Sequence, residues 1–323
     1  MTNLRSKIAL LVLTFAIGTT TANAFPDRSV RLIVPFPPGG VTDTAARLIG
    51  QQLSTKWGQP VVIENRPGAG GVIGVDAAAR SAPDGYTLLM ATNGEITINA
   101  AISAKPKYDA QKELVPIAMA TTTPFMWAAN LTAGIGSLAE LVSMAKAKPN
   151  GLSYSSAGLG SSSHMATEQL AAAAGIKLLH VPYRGGAPAA TALISGEVPV
   201  SAIALSSVLP VVDSGKVKLL AVTSEKRSDI APQVPTVNET GVLKNFQTSI
   251  WTAVFAPVGT PQAIASKIEA DILEALKDAG LIARLEKVGA APAGMSATNL
   301  RTHIARETDE MKKIANEASI RIE

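Results

Sequence analysis

An α/β fold of two domains is what this sequence predicts, and three observations carry the prediction. Short β-rich runs alternate with amphipathic helical stretches, the pattern of parallel strands joined by helical crossovers. The 323 residues exceed what a single domain of about 150 residues holds. Hydrophobic residues make up 47% of the chain and charged residues 17%. An average soluble protein has about 25% charged residues, so the composition supplies sizeable cores and is not that of a disordered chain.

The elements follow from the chain in order. Val30 to Pro35 reads as a strand, and Thr44 to Trp57 as a helix with Leu48, Ile49 and Leu53 on one face. Val61 to Glu64 is a second strand, Val72 to Arg80 a helix, and Tyr86 to Ala91 a third strand after the turn Pro83-Asp84-Gly85. Beyond a polar loop around Lys105 to Lys112, the apolar stretch Val115 to Thr123 predicts the strand at which the chain first crosses to the second domain. There, helices over Leu138 to Ala147, His164 to Ala174 and Ala189 to Ser195 alternate with strands over Leu152 to Ser155, Leu178 to Val181, Val200 to Leu205 and Val217 to Val222. Ser249 to Phe255 is strand-like again, and helices over Ile264 to Ala279, Leu281 to Val288 and Thr298 to Ala318 end the chain. Helices alone cannot bury their apolar stripes, so this tail is expected to pack back onto the first domain.

The N-terminus reads as an address. Arg5 and Lys7 precede the apolar run Ile8 to Ile17, and Ala22-Asn23-Ala24 follows, the plan of a cleaved secretory signal peptide over residues 1–24. The run falls well short of the roughly 20 apolar residues that span a bilayer. Cleavage removes two of the 29 basic residues against 25 acidic ones, halving the net charge of +4. Basic residues are scattered and aromatics amount to 4%, which argues against a nucleic-acid partner. With no Cys, the chain has no disulfide, thiolate metal site or cysteine nucleophile. His164, His180 and His303 are dispersed, so no metal or other cofactor is expected. A secreted chain of this kind points to the bacterial periplasm.

Three loops have the chemistry to hold an anion. Pro35 to Asp43 joins the first strand to its helix, and its glycines let backbone N–H groups converge at a helix start. Asp43 there is either a helix cap or a ligand contact. Asn65 to Gly74 again follows a strand and opens a helix. Its glycine spacing fails the dinucleotide pattern, because Ile73 stands where the third glycine belongs. Gly74 serves either that surface or close helix-to-sheet packing. Ser155 to Ser163 adds hydroxyls to amides: Ser163 reads as a cap, while Ser156, Ser161 and Ser162 are candidates to donate to a carboxylate. A second reading makes the chain a secreted serine-dependent hydrolase of a small carboxylate ester. Against it, the loop has no nucleophile elbow and His164 no acid partner. A receptor would return its ligand chemically unchanged.

VRLIVPFPPGGVTDTAARLIG at Val30 to Gly50, NRPGAGGVIG at Asn65 to Gly74, SYSSAGLGSSSHMATEQL at Ser153 to Leu170 and HVPYRGGAPAATALISGEV at His180 to Val198, with FAPVGTP at Phe255 to Pro261, together resemble the Bug-type receptors of tripartite tricarboxylate transporters. The resemblance implies a type II periplasmic binding protein, two α/β lobes joined by crossing strands with a ligand cleft between them. On this basis residues 25–123 plus 247–323 are expected to form one lobe and 124–246 the other. It further implies that backbone N–H groups of the two first-lobe loops pinch a ligand carboxylate while the serine loop meets the rest. The matching positions are Phe36, Gly40, Thr42, Gly70, Gly71, Ser156, Ser161 and Ser162, with Thr92 and Asn93 in a polar loop facing the cleft. Arg184 is either a second-lobe ligand contact or a hinge-side ion pair. Many relatives carry Asp-Asn where this chain has Ala204-Leu205, which favours a non-amino carboxylate against an apolar wall. Trp127 and Trp251 either line that wall or belong to the core. The expected partners are such a carboxylate and the integral-membrane subunits of a transporter. The receptor itself is expected to be a monomer and not an enzyme.

Overall fold

The structure, a computed structural model, describes residues 25–207 and 209–321; the expected signal peptide lies outside the described residues. The first half begins as β1 (Val30–Val34), α1 (Val41–Trp57), β2 (Val61–Asn65), α2 (Val72–Ala79) and β3 (Thr87–Thr92). A π-helical turn, Gly94–Ile98, runs into the short helices α3 (Asn99–Ile102) and α4 (Ala110–Glu113). Next come β4 (Leu114–Asn130), α5 (Leu138–Ala147), β5 (Ser153–Ser156), α6 (Ser162–Ala174), β6 (Leu179–Pro182) and α7 (Gly186–Ser195). The chain continues through β7 (Val200–Ala204), α8 (Leu209–Asp213), β8 (Val217–Val222) and β9 (Ser249–Pro257). It ends with α9 (Gln262–Ala275), α10 (Ala279–Lys287), β10 (Ala291–Ser296) and α11 (Ala297–Glu317).

The strands are ordered β2-β1-β3-β9-β4-β7-β5-β6, with β8 and β10 also pairing with β4. Parallel pairing holds where the alternation predicts it, for β1 with β2 and β3 and for β5 with β6 and β7. Antiparallel pairing appears where the two halves join. β4 is one strand of 17 residues, extending well past the expected end at Thr123. It pairs with β9 as far as Pro124 opposite Ser249, then with β7 from Phe125 opposite Ala204. β10 was not foreseen: Pro292 and Gly294 mask it, and it lies along β4 with a register shift.

Burial follows strand alternation. Leu32, Leu88 and Met90 face α1 and the returning helices through Ile49, Leu53, Ile268, Ile272 and Leu285, while Ile33, Leu89 and Ala91 face Val75, Trp251, Leu300 and Ile304. Covering both faces accounts for the near-continuous apolar runs of these strands. The helical tail therefore does return to the first sheet. Trp127 is buried beside Tyr154, Leu138 and Leu170 in the core of the second sheet, and Trp251 in that of the first, so both tryptophans are core residues. Among the described residues no helix is long and apolar enough to cross a membrane.

Candidate functional site

The first two loops stand side by side at the ends of β1 and β2. Gly40 caps α1 and Gly71 caps α2, and at neither helix does a side chain bond the cap. The first amides of α1 are thus left to solvent or a ligand, whereas those of α2 already donate within the turn before it, Gly71 N–H to the Gly68 carbonyl at 3.0 Å and Val72 N–H to that of Ala69. Gly74 brings the loops together, since a Cβ there would lie 2.7 Å from Pro35 Cα and 2.8 Å from the Arg66 carbonyl. Gly71 has a φ of +96°, and an added Cβ would meet Glu95 Cγ at 2.6 Å. Gly40 is freer: its nearest atom would be the Pro37 carbonyl at 3.9 Å.

Asp43 braces the first loop. Its carboxylate, 2% exposed, accepts from Gly39 N–H at 2.9 Å, from Arg47 at 2.9 and 3.0 Å and from Asn65 at 2.8 Å. Burial by itself would raise its pKa; the hydrogen bonds from Arg47, Gly39 and Asn65 outweigh that and hold it below the usual carboxylate value. Asn65 also donates to the Phe36 carbonyl at 3.0 Å, tying the end of β2 to the first loop. Phe36 is half-buried, Gly40 and Gly70 are exposed and Thr42 is buried.

After β3, Thr92 donates its N–H and its hydroxyl to Glu95 Oε2, at 2.8 and 2.9 Å. Asn93 donates to the Ser249 carbonyl at 3.0 Å and accepts from Ser162 of the second half at 2.8 Å. That last bond places the serine loop against the end of β3. Sequence reasoning missed Glu95, a buried carboxyl that desolvation pushes up to about 7 despite the bonds from Thr92.

Hydrophobic packing and two imidazoles shape the serine loop. His164 and His180 stack with ring centroids 3.9 Å apart, and Tyr154 stacks on His180 at 5.0 Å. His164 Nδ1 accepts from Gly160 N–H at 3.0 Å, which fixes it as the unprotonated nitrogen. Burial lowers His164 to about 3, aided by the charge of His180, and lowers His180 to about 4. Both rings are neutral at ordinary pH. Ser161, rather than Ser163, caps α6, accepting from His164 N–H at 3.2 Å, because the helix starts at Ser162 and not at His164. Ser163 instead accepts from Ala157 N–H at 3.0 Å.

Ser156 Oγ lies 2.6 Å from His180 Nε2, a contact that would suit a nucleophile and its base. Yet Ser156 is only 1% exposed and its hydroxyl also accepts from Gly158 N–H at 3.1 Å, so it is held inside the loop. Arg184 is exposed beside this loop, between Tyr183, whose N–H donates to the Ser156 carbonyl, and Gly185, whose N–H donates to Ala157. Ala204 is half-buried at the end of β7. Among the described residues no group of three or more His, Cys, Asp or Glu could hold a metal ion. A cavity of about 680 Å³ opens elsewhere, beside Thr223 to Ile230 and the α11 residues His303, Arg306 and Glu307, and none of the three loops lines it.

Two α/β halves that share the long strand β4 have the architecture of a two-lobed solute-binding protein. The model of the tripartite tricarboxylate transporter family receptor matches residues 45–320, and the chain belongs to that family. Its members are periplasmic solute-binding receptors. Protein BugT of Bordetella pertussis is 35% identical over 324 residues, covering 100% of this chain and 99% of BugT. Among solved structures, R. palustris Rpa4515 with adipate is 33% identical with a TM-score of 0.84, over 92% of this chain and 99% of that one. MatC from Rhodopseudomonas palustris with bound malate is 33% identical with a TM-score of 0.79, over 90% and 99%.

Proposed function

We propose that this receptor binds a small non-amino organic carboxylate in the periplasm and delivers it, as a monomer, to the integral-membrane subunits of a tripartite tricarboxylate transporter. The observation that carries the reading is the start of α1 at Gly40, which no side chain caps and which stands beside the glycine-rich start of α2. The α1 start leaves several N–H groups and about half a positive charge to meet a carboxylate, and the α2 start adds its own partial charge. The adipate and malate held by the two structural neighbours are of this chemical class.

The amides at Gly40, Thr42 and Gly70 take the ligand's carboxylate, Gly71 lets it approach the backbone closely, and Phe36 and Ala204 give its body apolar contact. Asp43, Thr92 and Asn93 hold the loops in place. Ser156 shapes the serine loop from within, Ser161 and Ser162 line its open side, and Arg184 guards its rim. The lobes, 25–123 plus 247–323 and 124–246, close on the ligand because each carries half of the site. The buried Ser156 argues against ester hydrolysis.

A thermal-shift panel of mono-, di- and tricarboxylates, with their methyl esters as controls, tests the reading. A bound ligand at 100-fold its Kd adds about 2.7 kcal/mol of stability. We expect a shift with at least one free carboxylate and none with its ester. No shift with any carboxylate, or chemical turnover of the ester, overturns it.

A further inference from the structure

Glu95 is a buried acid that carboxylate binding by amides leaves unused. It is 3% exposed and makes no ion pair among the described residues. Its Oε2 already has two donors in Thr92. Its Oε1 lies toward Gly71, 3.2 Å from where a Cβ of that glycine would stand. The carboxyl is thus wedged between the start of α2 and the turn after β3, directly behind the Gly70-Gly71 backbone assigned above to the ligand. A proton on this carboxyl belongs on Oε1, the oxygen that Thr92 does not bond.

We propose that the cradle accepts a carboxylate only together with a proton held on Glu95 Oε1, so that the receptor's affinity is proton-linked. The inference rests on the carboxylate reading of the same site. An ionised Glu95 would set a full negative charge against helix ends that offer only about half a positive charge each, and would repel the ligand. The neutral acid removes that repulsion. Burial without a cation brings Glu95 to about 7, so its charge changes within the ordinary pH range.

The groups around it do not supply this linkage. Tyr108 donates its hydroxyl to the Glu95 carbonyl at 2.9 Å, and burial pushes its own ionisation far up. Arg66, in the second loop, pairs with Glu64, and Asp76 of α2 pairs with Arg80. From α4, Asp109 pairs with Lys112, and Glu113 accepts from Asp109 N–H. The α6 residue His164 and its stacked neighbour His180 stay neutral down to about 3 and 4. β3 and α3 carry no titratable side chain. From α11, burial likewise lowers His303 and raises Glu307, but Glu307 is bonded to Thr97 and Trp251. Glu307 is therefore the control.

Calorimetry with adipate and malate from about pH 6 to about pH 9, on the wild type, Glu95→Gln and Glu307→Gln, tests the proposal. We expect the wild type to lose about tenfold in affinity per pH unit above about 7, taking up close to one proton on binding there. Glu95→Gln, which keeps a neutral donor, should bind within about threefold of the wild type at low pH and show a flat profile. Glu307→Gln should keep the slope. A flat wild-type profile with binding intact, or a slope that survives in Glu95→Gln, overturns the proton linkage and leaves the carboxylate reading standing. If neither probe binds, a ligand-free readout decides: the infrared carbonyl band of a protonated carboxyl should be present at low pH in the wild type and missing in Glu95→Gln. Its absence from the wild type overturns the proposal.

Discussion

The glycine wall and the serine wall of the cleft keep their shapes by opposite means. On the first, no side chain caps the helix starts at Gly40 and Gly71, and the side chains behind them, Asp43 and Glu95, are acids whose oxygens hold Gly39 and Thr92 in position. On the second, the hydroxyls are already engaged: Ser156 with His180, Ser161 with the His164 N–H, Ser162 with Asn93. The glycine wall keeps unspent donors at the start of α1 and close backbone approach at Gly71, so its weak point is any added side-chain atom. The serine wall is first a shape, its hydroxyls bonded within the protein.

The largest effect should follow from adding one carbon to the glycine wall. Gly71→Ala puts a Cβ 2.6 Å from Glu95 Cγ at a φ of +96°, and strain of this kind costs about 1 to 3 kcal/mol. We expect thermal unfolding to show that loss and calorimetry to show carboxylate affinity reduced by about a hundredfold or more. Gly40→Ala, with its Cβ 3.9 Å from the nearest atom, is the folding control. Wild-type affinity in Gly71→Ala would mean that the glycine wall does not hold the ligand.

On the opposite wall, Ser162→Ala removes the 2.8 Å bond to Asn93 that joins the two halves. About 1 kcal/mol, or roughly fivefold in affinity, is the expected change. Small-angle scattering should show a more open population without ligand. A change as large as that of Gly71→Ala would erase the contrast between the walls. Smallest of all should be Arg66→Ala, whose guanidinium pairs with Glu64 at a partly exposed position. Affinity should stay within about twofold, because such ion pairs contribute about 0 to 1 kcal/mol. A loss of binding there would replace the amide cradle by an arginine clamp.

How legible each wall was depends on how local its causes are. Strand-glycine-helix junctions at Gly40 and Gly71 are written in adjacent residues, so loops and helix starts could be read directly. β4 could not, because Pro124 normally ends a strand; here its missing N–H falls where the strand changes partner from β9 to β7. Glu95 looks like any solvated residue after Asn93-Gly94. It is buried because β3, α2 and Tyr108 converge on it. The stacking of His164 on His180 likewise depends on the parallel register of β5 and β6, which sets Tyr154 opposite His180. Ser161 displaced Ser163 as cap by a two-residue shift of helix start, within the usual uncertainty of such boundaries.

The strand common to both sheets has an entropic consequence. Each half of β4 is locked into a ladder of its own, so neither can slide without breaking several hydrogen bonds at once, and rotation concentrates at the handover between Pro124 and Phe125. The second thread is as short: Thr223 N–H donates to the Phe125 carbonyl, and its hydroxyl bonds the Thr248 carbonyl. For the closure proposed above, two short links leave fewer relative orientations than two bodies on a flexible tether would have. Little rigid-body freedom is left to lose when the halves meet, and more of the contact energy between ligand and protein survives as affinity.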